Sequence, residues 1–266
     1  MAALARAVAG LLLRGGWLVG LLVLESLLLT GFWFSGPTTF GQAFDRRAAE
    51  ADLLLLTLTS LPALFAGALL SSGDREDGMA DFYRSCRISP WKQVAGTGLG
   101  LFAVTGGALS LSVLLSLAVA APQSLGGASG WISLAFGLLS TALHAAWGLA
   151  LGAWVRSRWA AIAGVLVFWI ASVFALEALV TALLGILPAR WTFGVLAGFL
   201  VLDPSQFVRV ATVFVRGQGW AYGPAFAPVR DFLATPGGPV TLGFLALAHL
   251  ALPTALAVAG WSRRSR

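Results

Sequence analysis

Apolar residues run along this chain in stretches long enough to cross a bilayer, which takes about 20 helical residues. The pattern predicts an all-α polytopic membrane protein with six spans, over about residues 16–34, 52–71, 94–121, 131–154, 160–187 and 240–260. Trp17, Trp33 and Phe34 edge the first span, where aromatic rings favour the interface. Ahead of it, residues 1–13 read as a short surface helix with Arg6 and Arg14 facing headgroups. A cleaved signal peptide does not fit, because the apolar run is too long and Glu25 interrupts it without a small-residue cleavage pattern. The first span is therefore expected to be retained. Asp45, Arg46, Arg47 and Glu50 mark a polar loop, and Pro122 to Gly130 a tight uncharged connection. The pairs Gly96 and Gly100, and Gly148 and Gly152, have the spacing that lets helices approach closely.

One polar interruption organises the rest. From Gly73 to Lys92 it gathers eight charged residues: Asp74, Arg75, Glu76, Asp77, Asp81, Arg84, Arg87 and Lys92. Within it Met79, Phe82, Tyr83 and Cys86 fall on one face of a short helix. Ser89 and Pro90 are expected to end that helix, since proline lacks a donor and disfavours helical geometry in its predecessor. Such a helix between two spans lies on the membrane surface or fits a groove in a partner; the alternative is a solvated loop.

The long connection 188–239 carries a second helix signal. Asp203 suits an N-cap, Pro204 the first helical position, and Gln206 gives a spacing like a capping box. Phe207, Val210, Ala211 and Phe214 mark an apolar face, with Arg209 and Arg216 on the other, so the pattern predicts an amphipathic interfacial helix. A partial, re-entrant span over 193–202 is the competing reading.

Composition agrees. The chain is 58% hydrophobic and 11% charged, against about 25% charged in ordinary soluble domains. The net charge of +6 does not imply nucleic acid, because the basic residues sit at span ends. Eleven of them (Arg6, Arg14, the four of the 73–92 loop, Arg156, Arg158, Arg263, Arg264 and Arg266) fall on one side of a six-span chain. Six (Arg46, Arg47, Arg190, Arg209, Arg216 and Arg230) fall on the other. The positive-inside rule then places both termini and the 73–92 loop in the cytoplasm, and 188–239 outside.

No catalytic constellation emerges. A single cysteine rules out an internal disulfide, and the one lysine, Lys92, is followed by Gln93, so no phosphate-binding loop is present. Glu25, His144, Glu177 and His249 are the ionisable residues within spans. Glu25 and Glu177 read equally as substrate or proton contacts and as hydrogen-bonded packing residues; the histidines read as helix–helix hydrogen-bonders rather than metal ligands. Met79 and Cys86 belong to the apolar face, so no metal site is expected.

Asp74-Arg75-Glu76-Asp77-Gly78, Phe82, Ser85 and Ser89-Pro90-Trp91 resemble the first cytoplasmic loop of the permease subunits of ABC-2 type transporters. Arg6 to Trp17 loosely resembles that family's N-terminal elbow, without its Lys-Glu pair. Arg156-Ser157-Arg158, Val167-Phe168-Trp169, Phe174 to Glu177, Asp203 to Arg209 and Tyr222-Gly223-Pro224 are most similar to the NosY group, which serves maturation of nitrous oxide reductase. The resemblance implies a homodimeric, non-enzymatic permease of the bacterial inner membrane. A separate NosF-like cytoplasmic ATPase would hold ATP and Mg, and Asp74 to Cys86 would be its coupling helix. A NosD-like periplasmic β-helical partner would meet the Asp203–Arg216 helix, in the service of copper-site assembly. A general exporter of lipid, drug or peptide, and a non-transporting membrane anchor or scaffold, are the alternatives.

Overall fold

The computed structural model describes residues 1–34, 39–40, 44–120, 128–219 and 224–263. Expectations that fall on Pro122 to Gly127, Tyr222, Gly223, Arg264 and Arg266 lie outside these. Twelve α-helices follow one another among the described residues: α1 Ala2–Arg14, α2 Trp17–Phe34, α3 Arg46–Glu76, α4 Met79–Ser85, α5 Pro90–Ala120, α6 Ala128–Trp154, α7 Arg158–Ile170, α8 Leu176–Ile186, α9 Thr192–Leu202, α10 Pro204–Val215, α11 Ala227–Leu233 and α12 Gly237–Ser262. A π-helical turn, Ala171–Ala175, joins α7 to α8 without a break. Thr39–Phe40 (β1) and Phe44–Asp45 (β2) pair as a two-residue antiparallel ladder.

Among the described residues four helices are long and apolar enough to cross a membrane: Pro90–Val119, Gly130–Trp154, Arg158–Ile186 and Gly237–Ser262. The bent pair α9 and α10 makes a fifth if it is one broken span. The molecule is a helical, multi-pass membrane protein. The first two expected spans coincide with α2 and with the middle of α3.

The centre of the bundle is the pair α3 and α6, which meet backbone to backbone. A Cβ on Gly67 would stand 2.7 Å from the Ala145 carbonyl oxygen, one on Gly148 would fall on the Leu64 carbonyl, and one on Gly152 on the Ala68 carbonyl. Glycine on one helix against a carbonyl row on the other removes the side-chain spacer and allows Cα–H···O contacts. The second glycine pair works differently: Gly96 and Gly100 receive α1, whose Leu4, Ala5 and Val8 lie on α5. The N-terminal helix is thus packed on the bundle with Leu12 buried, rather than resting only on headgroups.

Several boundaries differ from the sequence reading. Arg46, Arg47 and Glu50 begin α3 instead of forming a loop, and α3 continues through Asp74, Arg75 and Glu76. Pro90 does not terminate the short helix. That helix ends at Ser85, Arg87 takes a left-handed φ of 56°, and Pro90 opens α5, where Ser89 Oγ accepts from the Lys92 N–H at 3.4 Å. Proline lacks a donor in either role, but at the first position of a helix that donor is unpaired anyway.

The larger correction concerns Asp203 to Arg216. α9 and α10 turn through 113° at Asp203, and α10 lies inside the bundle against α3 and α6. Pro204, Gln206, Phe207, Val208, Val210, Ala211 and Thr212 are all buried, so this helix is packed into the bundle instead of lying along its surface. Its pattern is amphipathic because the polar side meets polar groups of its own chain, which a helical wheel cannot distinguish from water.

The seam yields the first test. Gly148→Ala should push α3 and α6 apart and destabilise the protein by at least about 1–3 kcal/mol, the usual cost of overpacking. Gly107→Ala, with nothing within 4 Å of the added Cβ, should not. Unfolding of both variants in detergent, with Gly148→Ala as stable as the parent, would refute the seam.

Candidate functional site

Two polar assemblies stand out, one at each level of the bundle. The first surrounds α4. Gly78, at φ 75°, reverses the chain after α3, and α4 turns Ala80 inward onto Val94, Ala257 and Trp261. Its other side is left open: Phe82 is 56% exposed, Met79 and Cys86 are exposed, and Tyr83 is half-buried. The apolar face is there, and among the described residues Phe82 is left largely uncovered.

What holds α4 is a brace of charged groups and helix ends. The Arg75 guanidinium donates to the Ala153 carbonyl at the end of α6 and to the Gly260 carbonyl at the end of α12, 3.4 Å away. A cation at two helix C-termini meets unpaired carbonyls and the negative end of both dipoles. Its burial, then Arg84, Arg156 and Arg263 nearby, weigh against its charge and lower its pKa. Asp77 takes an ion pair from Arg158 at 2.5 Å, and Glu76 accepts the Arg158 backbone N–H at 2.9 Å. Arg84 pairs with Asp81 at 2.6 Å and donates to the Arg263 carbonyl at 3.3 Å. Arg263 lies 3.8 Å over the Trp154 ring, whose Nε1 donates to the Leu256 carbonyl at 2.9 Å. Trp261 Nε1 donates to Ser71 Oγ at 3.1 Å. The end of α3 that leads into α4 is therefore bonded to the ends of α6, α7 and α12, and α4 itself reaches the chain after α12 through Arg84.

The second assembly is buried. Asp203 is fully enclosed at the α9–α10 bend and caps α10, its Oδ1 accepting from the Ser205 N–H at 2.8 Å and the Gln206 N–H at 3.4 Å. The predicted cap is there. The reciprocal half of a capping box is not, because Gln206 Nε2 donates to Glu177 at 3.3 Å instead. Oδ1 also accepts the Ser172 hydroxyl at 2.5 Å, while Oδ2 has no partner among the described residues. The π-helical turn puts Ser172 there: an extra residue per turn rotates the side chains that follow. Ser205 Oγ lies 3.0 Å from Ser172 Oγ and 3.0 Å from His144 Nε2 of α6. Beside this, a cavity of about 50 Å³ is lined by Ser60, Glu177, Ser205, Gln206 and Arg209 among others. Glu177 and Arg209 pair at 3.4 Å.

The remaining candidates lie apart. Glu25 is buried between α2 and α5, where Ser112 Oγ donates to it at 3.4 Å. His249 Nε2 donates to the Leu200 carbonyl at 3.0 Å and its ring stacks on Phe207 at 5.2 Å. Arg216 donates to Ser133 at 2.6 Å. Sequence reasoning missed Ser172 and the part Ser205 plays beside it; small hydroxyls in apolar helices carry no pattern of their own. A third feature, a groove of about 400 Å³ between α5, α6 and α12, is lined by apolar side chains such as Val94, Leu99, Phe102, Leu149 and Leu250, with Thr254.

No protein-family model matches the chain, and no curated protein matches it. The class the fold defines is a helical multi-pass membrane protein.

Burial first, and then the Asp77 charge, raise the Asp74 carboxyl to about 6, with Arg158 opposing. The folded value lies above the unfolded 3.8, so the folded state binds the proton more tightly and stability falls as pH rises from about 4 through 6. Asp74→Asn should match the parent near pH 4 and exceed it at pH 8 by on the order of 1–2 kcal/mol, allowing for solvent screening. Thermal melts in detergent at both pH values would check this, and equal melting at pH 8 would contradict it.

Proposed function

We propose that this chain is the permease subunit of an ATP-driven transporter of ABC-2 type, similar to the NosY group, and that α4 docks on a separate cytoplasmic ATPase. The observation that carries the reading is the open apolar face of Met79, Phe82 and Cys86 on a short helix that directly follows the braced end of α3 and is itself bonded, through Arg84, to the chain just after α12. A helix in a groove is recognised by such anchors, and a lever needs a stiff joint to the part it moves. The charge distribution favours six spans with α4 and both termini in the cytoplasm. ATP and Mg belong to the ATPase in this reading. Two copies of the chain form the permease, and its work is copper-site maturation of nitrous oxide reductase together with a periplasmic β-helical protein. Because most of α10 is buried, that protein would meet exposed residues of the same long connection, such as Arg190, Trp191 and Asp231, rather than the helix itself.

A general exporter is the second reading, and the 400 Å³ apolar groove favours it. That volume lies in the range of drug-sized and lipid ligand sites, about 300–1,000 Å³.

Phe82→Glu tests the docking face. It should leave melting unchanged, because Phe82 is largely solvent-exposed, and should weaken ATPase docking by about 2 kcal/mol or more, the loss of an aromatic anchor. The readout is recovery of the ATPase with the tagged chain from native membranes. Full recovery with Phe82→Glu would sink the coupling role; no ATPase with the parent chain would leave the scaffold alternative.

A further inference from the structure

The buried assembly at Asp203 can be counted proton by proton. Four links run in series: His144 Nδ1 to the Ser140 carbonyl (2.8 Å), His144 Nε2 to Ser205 Oγ (3.0 Å), Ser205 Oγ to Ser172 Oγ (3.0 Å), and Ser172 Oγ to Asp203 Oδ1 (2.5 Å). Each link holds one proton. The Ser140 carbonyl only accepts, so Nδ1 carries the proton of that shorter contact, and the Ser140 hydroxyl oxygen, 3.3 Å from Nδ1, accepts from it as well.

Take His144 as neutral. Nε2 is then an acceptor, Ser205 donates to it, and Ser172 donates to Ser205. The last link is filled only if Asp203 itself carries a proton. Take Asp203 as ionised instead. Ser172 donates to it, Ser205 donates to Ser172, and Nε2 must carry a proton, which makes His144 an imidazolium. A neutral histidine with an ionised aspartate leaves one link with lone pair facing lone pair. Both end groups are essentially without solvent, at 1% and 0% exposure, so water reaches the series only at Ser205 and a mismatched link stays costly.

We propose that this cluster is a binding site for one proton, shared between Asp203 and His144 through the hydroxyls of Ser172 and Ser205. Transfer from Asp203 to His144 breaks one O–H bond each on Asp203, Ser172 and Ser205. It forms one on Ser172, one on Ser205 and the N–H on Nε2, so atoms and charge balance without another reactant. Exchange with water passes through Ser205, which lines the 50 Å³ cavity, a volume large enough for water. The other charged groups facing the cluster are Glu177 of α8 and Arg209 of α10, paired with each other across that cavity, and His249 of α12, engaged with Leu200 of α9. From α3 come Leu56, Thr57 and Ser60.

The proton ties three elements together: α6, the π-helical turn and the start of α10. Its loss sets two acceptors against each other and loosens the bend from α6. The inference does not depend on the transporter reading, since its readout is the ring itself.

Nitrogen-15 NMR of ring-labelled histidine, on the full chain in lipid bilayers, tests it. His144 and His249 are the chain's two histidines, so His249→Gln isolates the His144 signals. Across about pH 5–8 those signals and the infrared band of one protonated carboxyl should change together. Asp203→Asn, which keeps a good helix cap, should remove the band and shift the His144 signals. Ser205→Ala should shift them too, and Ser205→Thr, with its hydroxyl retained, should restore them. His144 signals identical in the parent and Ser205→Ala would overturn the proposal, as would a ring protonated on Nε2 alone.

Discussion

Along the seam of α3 and α6 the carbonyl oxygens of Leu64 and Ala68 rest on Gly148 and Gly152 with no side chain between them. In a bilayer there is little hydrophobic gain in bringing two apolar helices together, so close packing and weak backbone contacts have to do it. This contact fixes the distance between the two helices at both ends of the bundle. At one end it sets Arg75 of α3 beside the terminal carbonyl of α6, so that one guanidinium serves α6 and α12 together. Towards the other it leaves a recess that α10 fills, with Phe207 and Val208 enclosed.

The two polar assemblies are opposite uses of charge. Around α4 the groups are part-exposed, and each pair contributes little alone. Their effect comes from where they attach: helix ends, whose unpaired carbonyls and N–H groups give a charged side chain a directional partner. The Asp203 cluster is inside, where an unmatched polar atom is costly, and so its proton inventory is constrained. The first assembly fixes helix ends to one another, and the second constrains how many protons its members can carry. Both lie on α6 and α10 or on the segments those helices brace, so the seam joins them mechanically.

Much of this was legible along the chain. Runs of about 20 apolar residues report helices and membrane directly, because the bilayer sets their length. The apolar stripe of Met79, Phe82, Tyr83 and Cys86 was readable because a helix repeats every 3.6 residues. Asp203-Pro204 announced a helix start, since a cap is a local hydrogen bond and local bonds are written in neighbouring residues. Pro90 was misassigned because proline at a helix start and after a helix end look alike in one dimension.

What the sequence by itself determined was therefore the local and the periodic: the helical class, the membrane, the cap at Asp203 and the face of α4. Tertiary structure alone decided what each face meets. The polar side of Asp203 to Arg216 turned inward because Ser172, His144 and Glu177, from 26 to 59 residues earlier in the sequence at Asp203, supply partners that replace water. The π-helical turn that aims Ser172 carried no legible sequence signature, and in the fold it packs against α10. A hydrogen bond between distant residues depends on both ends arriving in place, and only the folded chain specifies that.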